Sequence, residues 1–229
     1  MKTRNRIWLC LLKIIPLLII FTQSCSKDEE SSEIKDADGN VYTSIKIGTQ
    51  VWMVENLKTT KFNDGITIIR NVTDDTEWSN LTTPAYCWYS NNITNKTPYG
   101  AIYNGYAVKT GKLCPTGWHV PSDTEWATLF DYAGGLVVAG GKLKETGTTH
   151  WNSPNTGATD EYGFKYLPGG LRDTYGSMYS LGVVGDYWGN DSQSGGYEYS
   201  TGIFYNENSV GTTYYGFKDE GISVRCLKN

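Results

Sequence analysis

Between Thr146 and Asn208 the chain is built largely from glycine, asparagine, serine and tyrosine, with few aliphatic residues. Such a segment cannot assemble an ordinary aliphatic core, and left alone it disorders. It does carry scattered rings: Trp151, Tyr162, Phe164, Tyr166, Tyr175, Tyr179, Tyr187, Trp188, Tyr197 and Tyr199. Each ring buries a large area for few frozen torsions, so rings can pin loops to a body where aliphatic packing is missing. Compact but irregular structure is the expectation for this half.

The rest of the chain supports a core. Its 229 residues are 39% hydrophobic and 19% charged, a balance that excludes a collagen, a coiled coil or a disordered tail. There is no uninterrupted apolar run of about 18 residues, so a multi-span membrane protein is excluded as well. A formal charge of -4 gives no general attraction to phosphate backbones, and no local basic patch replaces it; nucleic acid is set aside as a partner.

From Val41 the chain reads as short strands between turns. Val41, Thr43, Ile45 and Ile47 lead through Gly48-Thr49-Gln50 into Val51 to Val54, a hairpin in outline. Further strand candidates are Ile66 to Ile69, Ala85 to Tyr89, Ala101 to Val108, Gly202 to Tyr205, Thr212 to Phe217 and Ser223 to Leu227. One helix is strongly signalled. Ser122 and Glu125 form a capping box, Trp126, Leu129, Phe130 and Ala133 share one face, and Gly134-Gly135 ends it. A shorter helix is expected around Val137 to Glu145.

The start of the chain reads as an address. Met1 to Arg6 is basic, Ile7 to Phe21 is apolar but broken by Lys13 and Pro16, and Ser24-Cys25 ends the stretch. This resembles a bacterial lipoprotein signal, with Cys25 as the residue that receives lipid, although Thr22 stands where the usual pattern has leucine. Ser26-Lys27-Asp28-Glu29-Glu30 is similar to the Lys-plus-acidic signal that sends Bacteroidetes lipoproteins to the outer face of the outer membrane. The resemblance implies a signal peptide over residues 1–24, a lipid anchor and flexible acidic tether over 25–40, and a folded domain over 41–229. Removing Lys2, Arg4, Arg6 and Lys13 from the 20 basic residues leaves 16 against 24 acidic ones, a formal -8. Cys87, Cys114 and Cys226 then remain in the folded part, which in an oxidising compartment means one disulfide and one free thiol. Their spacing matches no zinc site.

A series of ordered words runs through the chain: Asp38-Gly39-Asn40-Val41-Tyr42, Ile47 to Leu57, Cys87-Trp88-Tyr89, Cys114 to Ser122, Glu125-Trp126 and Ser223-Val224-Arg225-Cys226. Together they resemble the Fibrobacter succinogenes major paralogous domain over residues 36–229. More distantly they are similar to the C-type-lectin-like group that includes formylglycine-generating enzymes. The resemblance implies an α+β, C-type-lectin-like fold: a small twisted antiparallel sheet, one or two helices and long ordered loops. It also implies that Cys114 pairs with Cys226, because the last strand of such folds lies near the chain entering the main helix.

The chemistry implied is recognition, not catalysis. A formylglycine-type oxidase needs a nearby pair of reactive cysteines, and only Cys226 stands late in the chain; His119 and His150 are too few for an iron site. No strand-turn-helix motif frames a serine nucleophile. Trp188-Gly189-Asn190-Asp191 is similar, with an inserted glycine, to the Trp-Asn-Asp word with which sugar-binding C-type lectins hold calcium. Asn190 and Asp191 are therefore candidate ligands, with Asp160-Glu161 or Asp186 as the second acidic contribution; no other cofactor is expected. Trp52, Trp118 and Trp126 read as core, which leaves Trp151, Tyr175, Tyr179, Trp188, Tyr197 and Tyr199 as candidate ligand contacts for a glycan or a surface protein. The expectation is a non-catalytic binding or adhesion domain, lipid-anchored in the outer membrane and exposed at the cell surface. The alternatives are a structural subunit of a surface assembly or a diverged oxidase.

Overall fold

The computed structural model describes residues 33–192, 197–211 and 214–229. The expected signal segment, the expected lipid-attachment residue Cys25 and the expected tether as far as residue 32 lie outside the described residues.

The capped helix spans Asp123–Tyr132, and both halves of its capping box are made. Glu125 N donates to Ser122 Oγ at 3.2 Å and Ser122 N donates to Glu125 Oε2 at 2.8 Å. Trp126, Leu129 and Phe130 form its buried face, and a second helix, Leu136–Leu143, follows Gly135. Three short helices join them: Asp75–Ser79, Lys96–Tyr99 and Gly105–Val108. Ala101 to Val108 is therefore not one strand. Ile102–Asn104 is extended, and the Asn104 side-chain Oδ1 then accepts from Ala107 N at 3.0 Å, capping a helical turn.

The strands fall into four sheets, almost wholly antiparallel. One has four strands in the order Ser44–Ile47, Gln50–Met53, Leu227–Lys228 and Trp118–His119, so the end of the chain lies inside the sheet begun by the first predicted hairpin. A six-stranded sheet runs from Met178–Tyr179 through Leu171–Arg172, Gly221–Ile222, Ile102–Asn104 and Ala85–Cys87 to Arg70–Asn71. Val184–Ser192, Tyr197–Phe204 and Tyr214–Phe217 make the third sheet. The architecture is α+β.

Two sequence readings change. Val184–Ser192 and Tyr197–Phe204 form the longest strand pair among the described residues, where irregular loops were expected except for Gly202 to Tyr205. The cause is steric. Gly185 and Gly189 lie where an added Cβ would come within 2.5 Å of Leu167 O and 2.3 Å of Tyr199 Cδ1, so these glycines admit close packing inside strands and do not mark turns. The folded unit also begins at Glu33, not Val41. Ile34–Lys35 pairs with Val41–Tyr42. Buried Asp36 holds the turn between them, accepting from Asp38 N at 3.0 Å, Asn40 N at 2.9 Å, Asn40 Nδ2 at 2.7 Å and Tyr42 OH at 2.6 Å.

The core is aromatic. Trp52, Trp78, Trp126, Trp151 and Trp188 are all fully buried, while Trp118 is half-buried at the sheet edge. Trp52 packs on Trp126 at 4.7 Å and Tyr166 meets Tyr187 edge-on at 4.4 Å. Three buried cations tie the irregular segments to this core. Arg225 donates to Phe164 O, to Asn56 Oδ1 at 2.6 Å and to Tyr187 OH at 3.2 Å. Arg172 donates to Val72 O at 2.7 Å, Gly176 O at 2.8 Å and Asp75 Oδ1 at 2.8 Å, stacked on Trp78. Lys144 reaches four backbone carbonyls beside Trp151. Rings supply the buried area, and the cations satisfy carbonyls that no strand partner reaches.

Candidate functional site: a carboxyl at the bottom of an aromatic-walled pocket

Two cross-strand pairs of the Val184–Ser192 and Tyr197–Phe204 hairpin, Val184 with Phe204 and Asp186 with Gly202, form the floor of a pocket of about 260 Å³. Leu171 and Tyr179, themselves a pair across the Leu171–Arg172 and Met178–Tyr179 hairpin, form its wall, with Ser180 at the rim. Alternation along the strand puts Val184 and Asp186 on one face. Gly202 keeps the space above Asp186 open, since an added Cβ there would lie 3.7 Å from Asp186 Oδ1.

Asp186 is the polar centre. Its carboxyl is bonded by the Ser200 side chain and the Tyr187 amide, while Oδ1 is buried and finds no hydrogen-bond partner among the described residues. Burial, together with the nearby charge of Glu220, pushes its pKa up to about 7. Glu220 is likewise pushed up to about 7, by burial and then by the charges of Asp219 and Asp173. Near neutral pH each carboxyl is therefore protonated for part of the time, where ordinary surface carboxyls have lost the proton, and in that form it can donate as well as accept a hydrogen bond.

The six predicted contact residues separate into two groups. Tyr175 is 80% exposed at the tip of the hairpin whose second strand carries Tyr179, itself 46% exposed. The tip is rigid: Asp173 Oδ1 accepts from Tyr175 N at 3.0 Å and from Ser177 N at 2.8 Å. Trp151, Trp188 and Tyr199, by contrast, are buried in the core. Trp151 Nε1 donates to Tyr166 O at 2.9 Å and Trp188 Nε1 to Tyr103 O at 2.7 Å, which is how a buried indole is satisfied. Tyr197 is half-buried against Phe217 at 4.8 Å and does not line the pocket.

The candidate calcium residues make contacts of their own, Asn190 through its backbone oxygen and Asp191 through one carboxylate oxygen. Asn190 O accepts from Lys109 Nζ at 2.8 Å, and the Asp191 carboxylate takes the Asp123 amide at the start of the capped helix. No group of three His, Cys, Asp or Glu side chains suited to a metal occurs among the described residues. Cys114 and Cys226 form a disulfide with Cα atoms 5.9 Å apart, and Cys87 is a buried free thiol. Each histidine has a carboxylate partner, His119 with Glu125 at 3.0 Å and His150 with Glu145 at 2.6 Å. Ser122 Oγ bonds Glu125, not His119, so the arrangement is a helix cap and not a nucleophile with its base.

Residues 45–228 match the model of the Fibrobacter succinogenes major domain. The chain belongs to that family. No curated protein and no solved structure matches it.

Within the Fibrobacter succinogenes major domain the ordered words acquire physical roles. Asn56, from the first long word, and Arg225, from the last, meet in the buried bond already described, and the Cys114 and Cys226 words meet in the disulfide. These words hold the frame. Asp186, in the pocket, and Glu220, whose charge it feels, lie outside these words, in segments whose glycines and polar residues read as loop, so periodicity carries no sign of them. The sequence offers Asp186 only as a calcium ligand.

Proposed function

We propose that this member of the Fibrobacter succinogenes major domain family is a non-catalytic recognition module, held at the outer face of the cell by lipid on Cys25, with the Asp186 pocket as its site and a glycan as its ligand. The observation that carries this reading is a protonatable carboxyl beneath apolar walls and a half-exposed tyrosine ring. A sugar ring offers an apolar C–H face to Tyr179, Leu171 and Phe204 and hydroxyls that pair with a group able to donate and accept. A volume of about 260 Å³ lies just below the roughly 300 Å³ at which pockets for drug-sized ligands begin, and suits one ring. Tyr175, on the same hairpin, extends the platform.

Titration of the purified protein with a glycan panel tests this. Tyr179→Ala and Asp186→Ala are expected to weaken binding at least tenfold with the melting transition retained. Binding indifferent to both substitutions, or no binder in the panel, refutes the assignment.

A structural role in a surface assembly is favoured by a different feature. Leu136, Val137 and Val138 are exposed in succession at the start of a helix, next to exposed Tyr132. Self-association in sedimentation that Val137→Asp abolishes would support that role.

A further inference from the structure

The run Ile66-Thr67-Ile68-Ile69, which reads as a strand, is the returning arm of a small hairpin projecting from the body. Phe62 and Ile69 root it in the core. Phe62 N donates to Thr67 O at 2.9 Å, Ile69 N donates to Thr60 O at 2.8 Å, and Lys61 bridges to Ile68. Between the roots, residues 63–68 are all exposed, and the two largest apolar side chains face water: Ile66 is 85% and Ile68 72% exposed. The tip is held in shape before it meets anything. Asp64 accepts from Ile66 N at 2.9 Å, Thr67 N at 2.8 Å and Thr67 Oγ1 at 2.8 Å.

The position of this hairpin says what covers it. Its base is bonded to the N-terminal turn: Thr60 N donates to Asp38 Oδ2, Lys61 Nζ lies 3.6 Å from Asp38 Oδ1, and Lys58 N donates to Tyr42 OH at 3.0 Å. The described chain begins at Glu33, one residue before the strand Ile34–Lys35 that leads into that same turn. Eight peptide steps separate Glu33 from Cys25, a reach of at most about 28 Å even when fully extended. A lipid on Cys25 therefore keeps this end of the domain at the bilayer surface. Charges at the hairpin are matched and carry flexible stems: Lys61 faces Asp38, Lys112 faces Asp64, and Asn63 N binds Lys112 O at 2.8 Å. Lysine heads can turn to the headgroups while their stems lie along the apolar layer.

We propose that the 60–69 hairpin is a membrane-docking element, which inserts Ile66 and Ile68 into the interfacial layer of the bilayer that holds the lipid anchor. It rests on the reading of Cys25 as a lipid attachment site and is independent of the Asp186 pocket. A preformed tip inserts with little ordering cost, and two buried isoleucines add to an anchor that with a single chain is only marginal. The domain is then oriented on the surface and does not tumble on its tether.

The full-length lipoprotein, reconstituted into vesicles of phosphatidylethanolamine and phosphatidylglycerol, tests this with a thiol-linked environment-sensitive fluorophore at Ile66→Cys. In the acylated chain labelling is selective, because Cys10 leaves with the signal, Cys25 carries the lipid, Cys114 and Cys226 are paired, and burial pushes the Cys87 thiol up to about 11. The control is Thr149→Cys, on an exposed loop. The Ile66→Cys probe is expected to shift to the blue and be quenched by brominated lipid, while the Thr149→Cys probe stays in water. In parallel, Ile66→Ser with Ile68→Ser should speed transfer of the lipoprotein between vesicles about tenfold or more. Mass spectrometry of the N-terminus separates the two ways of failing. A chain without acyl groups overturns the lipoprotein reading and this proposal with it. An acylated chain whose Ile66→Cys probe is no more quenched than the control overturns the hairpin proposal alone.

Discussion

Replacing Lys144 by methionine removes a buried ammonium while keeping most of the side-chain volume, and the structure sets what that costs. Lys144 Nζ lies 2.8 Å from Glu207 O, 2.9 Å from Thr156 O, 3.2 Å from Phe204 O and 3.4 Å from Tyr205 O. Two of the four acceptors keep another donor in the variant: Tyr205 O binds Thr156 N at 2.8 Å and Phe204 O binds Glu207 N at 3.3 Å. Thr156 O and Glu207 O lose the bond the ammonium makes. Each buried acceptor stranded in this way costs about 1–3 kcal/mol. Glu207 is at the surface, where water recovers part of the loss, and the variant no longer desolvates a charge, so the net cost is about 2–3 kcal/mol. In a unit of this size each kcal/mol moves Tm by about 2–4 °C, which gives a fall of about 5–10 °C by calorimetry or circular dichroism. Trp151 lies 5.4 Å from the ammonium, so its fluorescence should change in the folded variant as well. A variant that melts within about 2 °C of the parent refutes the claim that this cation fastens residues 156 and 204–207 to the second helix.

Three further outcomes are expected. Arg225→Met removes donors from Phe164 O, Lys165 O and Asn56 Oδ1 at once, and should destabilise by about 3–4 kcal/mol in denaturant melts; a shift below about 1 kcal/mol would show that Tyr187 and Asn56 suffice without it. Replacing both Cys114 and Cys226 by alanine opens a cross-link spanning 112 residues and should cost about 4–5 kcal/mol, read from the urea midpoint against the oxidised parent; equal midpoints would refute it. Asp186 holds its proton to about pH 7 when folded, against an ordinary value of 3.8, so the stability linked to that proton is full below about pH 4 and is lost as pH rises through 7. Asp186→Asn should therefore raise Tm at pH 8, by the equivalent of about 1–2 kcal/mol, and flatten the dependence of Tm on pH between 5 and 8. Parallel curves for parent and variant would sink the assignment.

What could be read from the sequence was what local chemistry decides. Ser122 and Glu125 announce their helix because a capping box is completed within four residues. The first hairpin was legible for the same reason, through alternation on either side of Gly48. Of the Val184–Ser192 and Tyr197–Phe204 pair only the end from Gly202 was legible, because six successive residues of Tyr197–Phe204 are buried on both faces, leaving no alternation to detect. The site followed the same division. Composition offered six rings as ligand contacts without distinguishing among them, and Tyr175 and Tyr179 are the two that are well exposed. Asp186 matters because the fold brings Glu220 beside it and removes water from both, a property of the packing that neither residue shows in its own neighbourhood of sequence.

The interleaving of the chain's two ends bears on how it is made. Gln50–Met53 lies beside Leu227–Lys228, and Asn56 bonds a residue 169 positions further on. During synthesis the early hairpin must wait for nearly every later residue before its sheet can close, which keeps contact order high and native structure late. A polypeptide that stays open until its last strand is delivered is one that export machinery can thread across a membrane as an extended line. The same late closure leaves its tryptophans uncovered until the last strand arrives.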